Sequence, residues 1–189
     1  YIGDDEVSRS HAIRWSRPVL LAGEEFLRRT DIRCPAPGAA WDAANNLVTE
    51  TLTYGPGLFN GQVRRRLNPD GTVALTRFTL DASGQQTAVT LTGEPNAALD
   101  NALDGTRTET TSNERGRALS ETVADIASGR VLSAWQATTF DLLGRATRID
   151  YDDGTHVERE YVCCGIATER DRTGRVATYQ YDDLGRQYE

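Results

Sequence analysis

Methionine is absent from this sequence, and histidine occurs only twice, at His11 and His156. A hydrolytic triad needs a histidine beside a nucleophile, so little material for one is present. Cysteine is almost as scarce. Cys34, Cys163 and Cys164 are odd in number and too few for a disulfide framework. They read as buried or half-exposed thiols, with a bond from Cys34 to one of the pair, or a strained bond between the two neighbours, as alternatives. No apolar run is much longer than Pro18 to Ala22, whereas about 20 residues are needed to span a bilayer, so insertion of this segment into a membrane is not expected. A basic excess is missing as well. The net charge is −7 and the pI near 4.9, which argues against a nucleic-acid partner because phosphate binding needs a basic face.

What is present is the chemistry of turns and strands. Glycine is plentiful at 17 residues and threonine is frequent, while the 38% hydrophobic content is that of a globular chain. Five segments share a polar cluster that closes on glycine and, mostly, arginine. These are Leu80-Asp81 to Gly84-Gln85, Ser112-Asn113 to Gly116-Arg117, Phe140-Asp141 to Gly144-Arg145, Arg170-Asp171 to Gly174-Arg175, and Tyr181-Asp182 to Gly185-Arg186. The first four glycines are 32, 28 and 30 residues apart, and the last follows after 11. An Asp or Asn side chain can accept a backbone N–H two residues on and so start a turn, and the glycine supplies positive φ at its exit. Simpler turns lie between them at Asn60-Gly61, Pro69-Asp70-Gly71, Asp104-Gly105, Ser128-Gly129 and Asp153-Gly154.

The intervening stretches alternate as half-buried strands do. Thr147, Ile149 and Tyr151 share one face, and Arg148 and Asp150 the other. Val157, Tyr161 and Cys163 share a face that Arg159 interrupts; Ala177, Tyr179 and Tyr181 repeat the pattern, as do Thr87, Val89 and Leu91. The expected fold is all-β, hairpin after hairpin in a curved antiparallel sheet. Leu20 to Arg29 is compatible with a helical turn or a strand. Pro95 to Leu103 reads as an inserted loop with room for one helical turn, and Pro35 to Gly38 as a connection within the sheet. Residues 1–40 read as a strand-rich lead-in and 41–189 as the repeats. Only three residues follow Arg186, too few for a returning strand of about five, so the chain is expected to be a fragment of a longer array.

Other residues invite chemistry and are better read as structure. A zinc site from His156 and the cysteines lacks the usual Cys-x-x-Cys spacing, and adjacent cysteines on a strand point to opposite faces. Asp150 to Gly154 superficially suggests a calcium loop, but the twelfth residue counted from Asp150 is Tyr161 rather than glutamate. Arg64, Arg65 and Arg66 would divide between two strand faces and serve as cross-strand partners for acids. Trp15, Trp41 and Trp135 read as cross-strand packing residues, with sugar stacking as the alternative. No catalytic residue, cofactor or metal is expected, and the chain reads as non-enzymatic. The arginines after glycine are expected to bond a neighbouring turn's carboxylate or carbonyls.

Tyr181-Asp182-Asp183-Leu184-Gly185-Arg186 closely resembles the hallmark of the YD-repeat, or Rhs-repeat, family, and Phe140 through Tyr161 fits a whole unit with Phe140 in place of tyrosine. The copies at Asp81, Asn113 and Asp171 are degenerate. The resemblance implies a β-sheet spiral that closes into a hollow shell, as in bacterial Rhs toxins, insecticidal toxin complexes and teneurins. It further implies a secreted or cell-surface setting, contact with neighbouring repeats of the same chain, and an enclosed toxin domain as partner. The self-cleaving Asp-Pro motif of shell-closing relatives is absent from this sequence, so neither cleavage nor cargo carries over. The expected role is a structural segment of a shell or scaffold; the alternative is a module that binds a surface glycan or another cell-surface partner.

Overall fold

The computed structural model describes residues 11–15, 18–21, 24–34, 40 and 42–188. The connection at Pro35 to Gly38, Trp41, and the side chains of His11 and Trp15 lie outside that description. Among the described residues there are fourteen strands and no helix. The first six are β1 (His11–Trp15), β2 (Val19–Leu21), β3 (Glu24–Arg33), β4 (Leu47–Tyr54), β5 (Val63–Leu67) and β6 (Val73–Leu80). Next come β7 (Gln86–Gly93), β8 (Thr106–Ser112), β9 (Ala118–Asp125) and β10 (Val131–Phe140). The last are β11 (Ala146–Tyr151), β12 (His156–Tyr161), β13 (Ile166–Arg170) and β14 (Val176–Thr178). From β3 onward each strand pairs with the next in chain order, and β1 and β2 pair with the two halves of β3. Within the stretch from Leu20 to Arg29, the described residues 20–21 and 24–29 are therefore strand.

Most of that order follows from short connections: apart from the loop between β7 and β8, the links from β5 onward are four or five residues long, and a chain that turns back so soon pairs with the strand it has just left. The chain divides into two compact units. The first takes in the chain up to Thr79 with Ala88–Arg107 and Asp125–Gly129; the second comprises Leu80–Thr87, Thr108–Ala124 and Arg130–Glu189.

The first unit holds most of the buried apolar side chains. Phe26, Leu52, Val73 and Leu75 are almost wholly removed from solvent, and burial of such side chains stabilises by about 1.5–3 kcal/mol each. Phe26, Tyr54, Phe59 and Phe78 form a chain of tilted and edge-on rings with centroids 5.0–6.0 Å apart. The inserted loop between β7 and β8 contains no helical turn. It is closed by a bridge between Pro95 and Ala102 and seats Ala102 against Val73 and Leu75, with Leu67, Leu91 and Ile126 around them. Arg65 and Arg77 donate to the loop's carbonyls at Leu99 and Asp100. Arg65 also pairs with Glu50 at 2.6 Å, while Arg64 donates to the Thr76 carbonyl. Asp104-Gly105 marks the exit of this loop, not a hairpin turn.

Little is buried in the second unit. Among the described residues, Ala137 and Val157 are its only buried apolar side chains, and the backbone ladder carries most of the order. Strand register sorts its side chains cleanly. One face carries the rows Ser120, Gln136, Asp150, His156 and Arg148, Glu158, Arg170. The other carries Glu121, Trp135, Tyr151; Ala137, Ile149, Val157; and Arg159, Glu169, Ala177. The polar rows are tied by ion pairs: Arg148 to Asp150 at 2.8 Å and to Glu158 at 3.1 Å, and on the opposite face Arg159 to Glu169 at 2.6 Å. Thr147, Ile149 and Tyr151 alternate with Arg148 and Asp150 along β11. Cys163 does not continue the Val157 face. It sits with Cys164 in the turn after β12, because the strand ends at Tyr161.

Candidate functional site

The second unit's distinctive chemistry lies in its turns. In each Asx turn one side-chain oxygen accepts two backbone N–H groups, two and four residues on. Asp81 receives Ser83 and Gln85, Asn113 receives Arg115 and Arg117, Asp141 receives Leu143 and Arg145, Asp171 receives Thr173 and Arg175, and Asp182 receives Leu184 and Arg186, all at 2.8–3.0 Å. Gly84, Gly116, Gly144, Gly174 and Gly185 take φ between +70° and +84°, the left-handed conformation that lets the chain re-enter the ladder after the turn.

The arginines after glycine divide by role. Arg117 Nη1 donates to the Leu143 carbonyl at 2.9 Å, and Arg145 Nη1 to the Val162 carbonyl at 3.1 Å, so each reaches the next turn along the same edge. Arg145 also holds Asp141 at 2.6 Å and lies 4.3 Å over the Tyr161 ring. Arg186 instead stays on its own Asp182 at 2.7 Å. Arg175 contributes its backbone N–H to Asp171.

Strand counting explains the difference. Two strands separate the turns at Gly84, Gly116 and Gly144, so these stand on one edge, but three separate Gly144 from Gly174. The 30-residue step to Gly174 therefore crosses to the opposite edge, beside Asp153-Gly154. There the link is Arg172, which pairs with Asp153, donates to Thr155 Oγ1 at 2.8 Å and lies 4.1 Å over the Tyr151 ring.

On the first edge the place after Gly144 belongs to a turn that sequence reading missed, Val162-Cys163-Cys164-Gly165, closed by Val162 N–H to Gly165 O at 2.9 Å. Tyr161-Val162-Cys163-Cys164-Gly165-Ile166 is a degenerate copy of the motif. The readable signal was the spacing of Phe140, Tyr161 and Tyr181 by 21 and 20 residues. The tyrosines have a common job: Tyr161 donates its hydroxyl to the Ala146 carbonyl and Tyr181 to the Ile166 carbonyl, both at 3.0 Å. Each closes over the residue that follows the preceding turn.

Hydrogen bonding sets the charge state of the turns. Asp81, Asp153 and Asp171 are held below the ordinary carboxylate range, chiefly by the hydroxyls of Ser83, Thr155 and Thr173. Asp182 is lowered first by the Arg186 N–H. At Asp141 desolvation is the largest single influence and pulls upward, but the N–H and guanidinium of Arg145 outweigh it. Carboxylates lowered in the folded state add stability that is present above their unfolded pKa of about 3.9 and is lost as pH falls through the folded values. The melting temperature is thus expected to hold between pH 7 and 5 and to fall below about pH 4. Asn113 makes the same two bonds with nothing to titrate. Asp141→Asn should keep the turn at pH 7 and lose less on acidification; an acid profile identical to that of the unaltered chain would contradict this.

Residues suspected of other chemistry are engaged structurally. His156 lies 3.6 Å from Glu158, and Asp150 accepts from Thr138 and Arg148. Among the described residues no three His, Cys, Asp or Glu side chains are grouped to hold a metal ion, and no helix is long and apolar enough to cross a membrane. Trp135 stands half-exposed opposite Tyr151 and borders a shallow hollow of about 450 Å³ shared with Arg117, Arg145, Arg159 and Tyr161. No protein-family model matches the chain, and comparison with curated proteins finds no match either.

Proposed function

We propose that the chain is a structural repeat segment of a large exported protein of the YD-repeat or Rhs type, building a β-sheet shell or scaffold that encloses or presents another domain. One observation carries this reading: Arg117 and Arg145 each pass a guanidinium to the next turn of the same edge. The bonds are made within the chain, and they join consecutive hairpins in a unit that buries few apolar side chains. A guanidinium spent on a neighbour's carbonyl is a fastening, and a row of them suits a wall. In such a protein the neighbouring repeats are the immediate partners.

The double variant Arg117→Ala, Arg145→Ala tests it. Each lost charge-assisted bond is worth about 1 kcal/mol at this exposure, so a loss of roughly 2 kcal/mol is expected, with faster amide exchange in β10 through β13. An unchanged melting temperature and exchange pattern would sink the proposal.

The hollow beside Trp135 favours a second reading, a face that binds surface glycan, since a half-exposed indole flanked by guanidinium groups suits a sugar ring. It requires Trp135 fluorescence to respond to a polysaccharide and requires the response to vanish in Trp135→Ala while the fold survives.

A further inference from the structure

The turn Val162-Cys163-Cys164-Gly165 is unlike the others on its edge. It has no Asx side chain to gather its N–H groups, and isoleucine, not arginine, follows its glycine. The Val162 to Gly165 backbone bond closes it. Where other copies carry the Asx fastening, this one places two thiols at the tip of a two-residue loop. Because the residues are in a turn and not on a strand, their side chains do not diverge to opposite faces: the two Sγ atoms are 2.7 Å apart, and both cysteines are exposed. Cys34 is buried in the first unit.

We propose that Cys163 and Cys164 form a redox modification site, an exposed dithiol that a low-molecular-weight disulfide converts to a bond between the neighbours and that thiols reopen. One thiolate attacks the incoming disulfide, expels a small thiolate and is left as a mixed disulfide. The neighbouring thiolate then attacks the protein sulfur of that mixed disulfide and expels the second small thiolate. The turn gains an Sγ–Sγ bond and loses two hydrogens, and the oxidant leaves as two thiols.

Strain and exposure make the bond a reversible one. Adjacent Cα atoms lie about 3.8 Å apart, less than the separation of about 4.4–6.8 Å usual for disulfides, and strained, exposed disulfides are the readily reduced ones. The hydrogen bond with the Cys163 thiol, and after it desolvation, hold the Cys164 thiol above its ordinary pKa, with Asp182 adding a little, so closure should quicken as pH rises. The site also adjoins the next turn of the edge, since a side chain added at Gly185 would meet Cys164 Sγ at 3.5 Å. Closing the loop is therefore placed to alter the packing of the turn at Asp182 to Arg186.

The test is mass spectrometry of the whole chain treated with glutathione disulfide, then alkylated and cleaved after arginine. The peptide Glu160–Arg170 carries both cysteines and not Cys34. It should appear two hydrogens lighter and unalkylated, and return to the doubly alkylated form after dithiothreitol. Cys163→Ser should instead retain a glutathione adduct on Cys164. Closure should also run roughly tenfold faster in the folded chain than in urea, because the turn holds the sulfurs together. A lasting glutathione adduct on the unaltered chain, a disulfide-linked dimer, full alkylation, or equal rates with and without urea would each overturn the proposal.

Discussion

Gly105→Ala should destabilise the first unit by about 3–5 kcal/mol, lowering its melting temperature by on the order of 10 °C. Two penalties coincide at this residue. Its φ is +87°, and a Cβ built on it would lie 2.1 Å from the Thr92 carbonyl oxygen and 2.9 Å from Gly93 Cα. Both obstacles are backbone, so no side chain can swing aside. Two control variants in the same unit separate the causes. Gly71 has φ +85° with nothing within 4 Å of the added carbon, so Gly71→Ala measures conformational strain alone, about 1 kcal/mol. Gly93 is outside the positive-φ set, yet its Cβ would lie 2.1 Å from the Asp104 carbonyl oxygen, so Gly93→Ala measures the backbone collision. The expected order of loss is Gly105→Ala, then Gly93→Ala, then Gly71→Ala, read from thermal unfolding. If Gly105→Ala proved no worse than Gly71→Ala, the close approach of the two ends of the inserted loop would be wrong.

Gly165→Ala is expected to cost about 2–3 kcal/mol in the second unit, by expelling a tyrosine. The added carbon would lie 2.3 Å from the Tyr181 hydroxyl oxygen and 2.8 Å from Cζ. A tyrosine ring is rigid, so relief requires rotation of the whole side chain and loss of its 3.0 Å bond to the Ile166 carbonyl. Tyr181→Phe should cost only about 1 kcal/mol, the worth of that one bond. The decisive comparison is a double-mutant cycle. Once Tyr181→Ala has emptied the space, Gly165→Ala should add almost nothing. Simple additivity of the two losses would show that the glycine is needed for some other reason.

Much of the fold is legible in the sequence because its signals are local. Alternation in β11 and the Asp153-Gly154 turn place the β11–β12 hairpin unaided, and the inserted loop at Pro95 to Leu103 shows itself by composition. The assignment of turns to edges is not legible in the same way. Cys163-Cys164 carries none of the residues that normally announce a turn, so a strand reversal goes uncounted and the 30-residue step to Gly174 passes for one more period. Arg172 is hidden for a related reason: its role depends on which turn lies beside it, and that depends on the missed reversal. The stretch from Leu20 to Arg29 is undecided by local pattern, and its described residues 20–21 and 24–29 are resolved by pairing, since β3 has β1 and β2 along one side and β4 along the other. Ala102 belongs to the core because a loop folds back over β6, a long-range event that periodicity does not record.

The alternation of edges also restricts how such a chain can change in length. Each strand added or removed sends everything downstream to the other margin, so a single-strand deletion between Arg145 and Val162 would separate the Arg145 guanidinium from the carbonyl that receives it. Gains and losses of whole hairpins leave that correspondence intact. Lengthening by recombination is therefore tolerated in even steps, and a chimaera that joins segments of this chain should be cut at two places on the same margin.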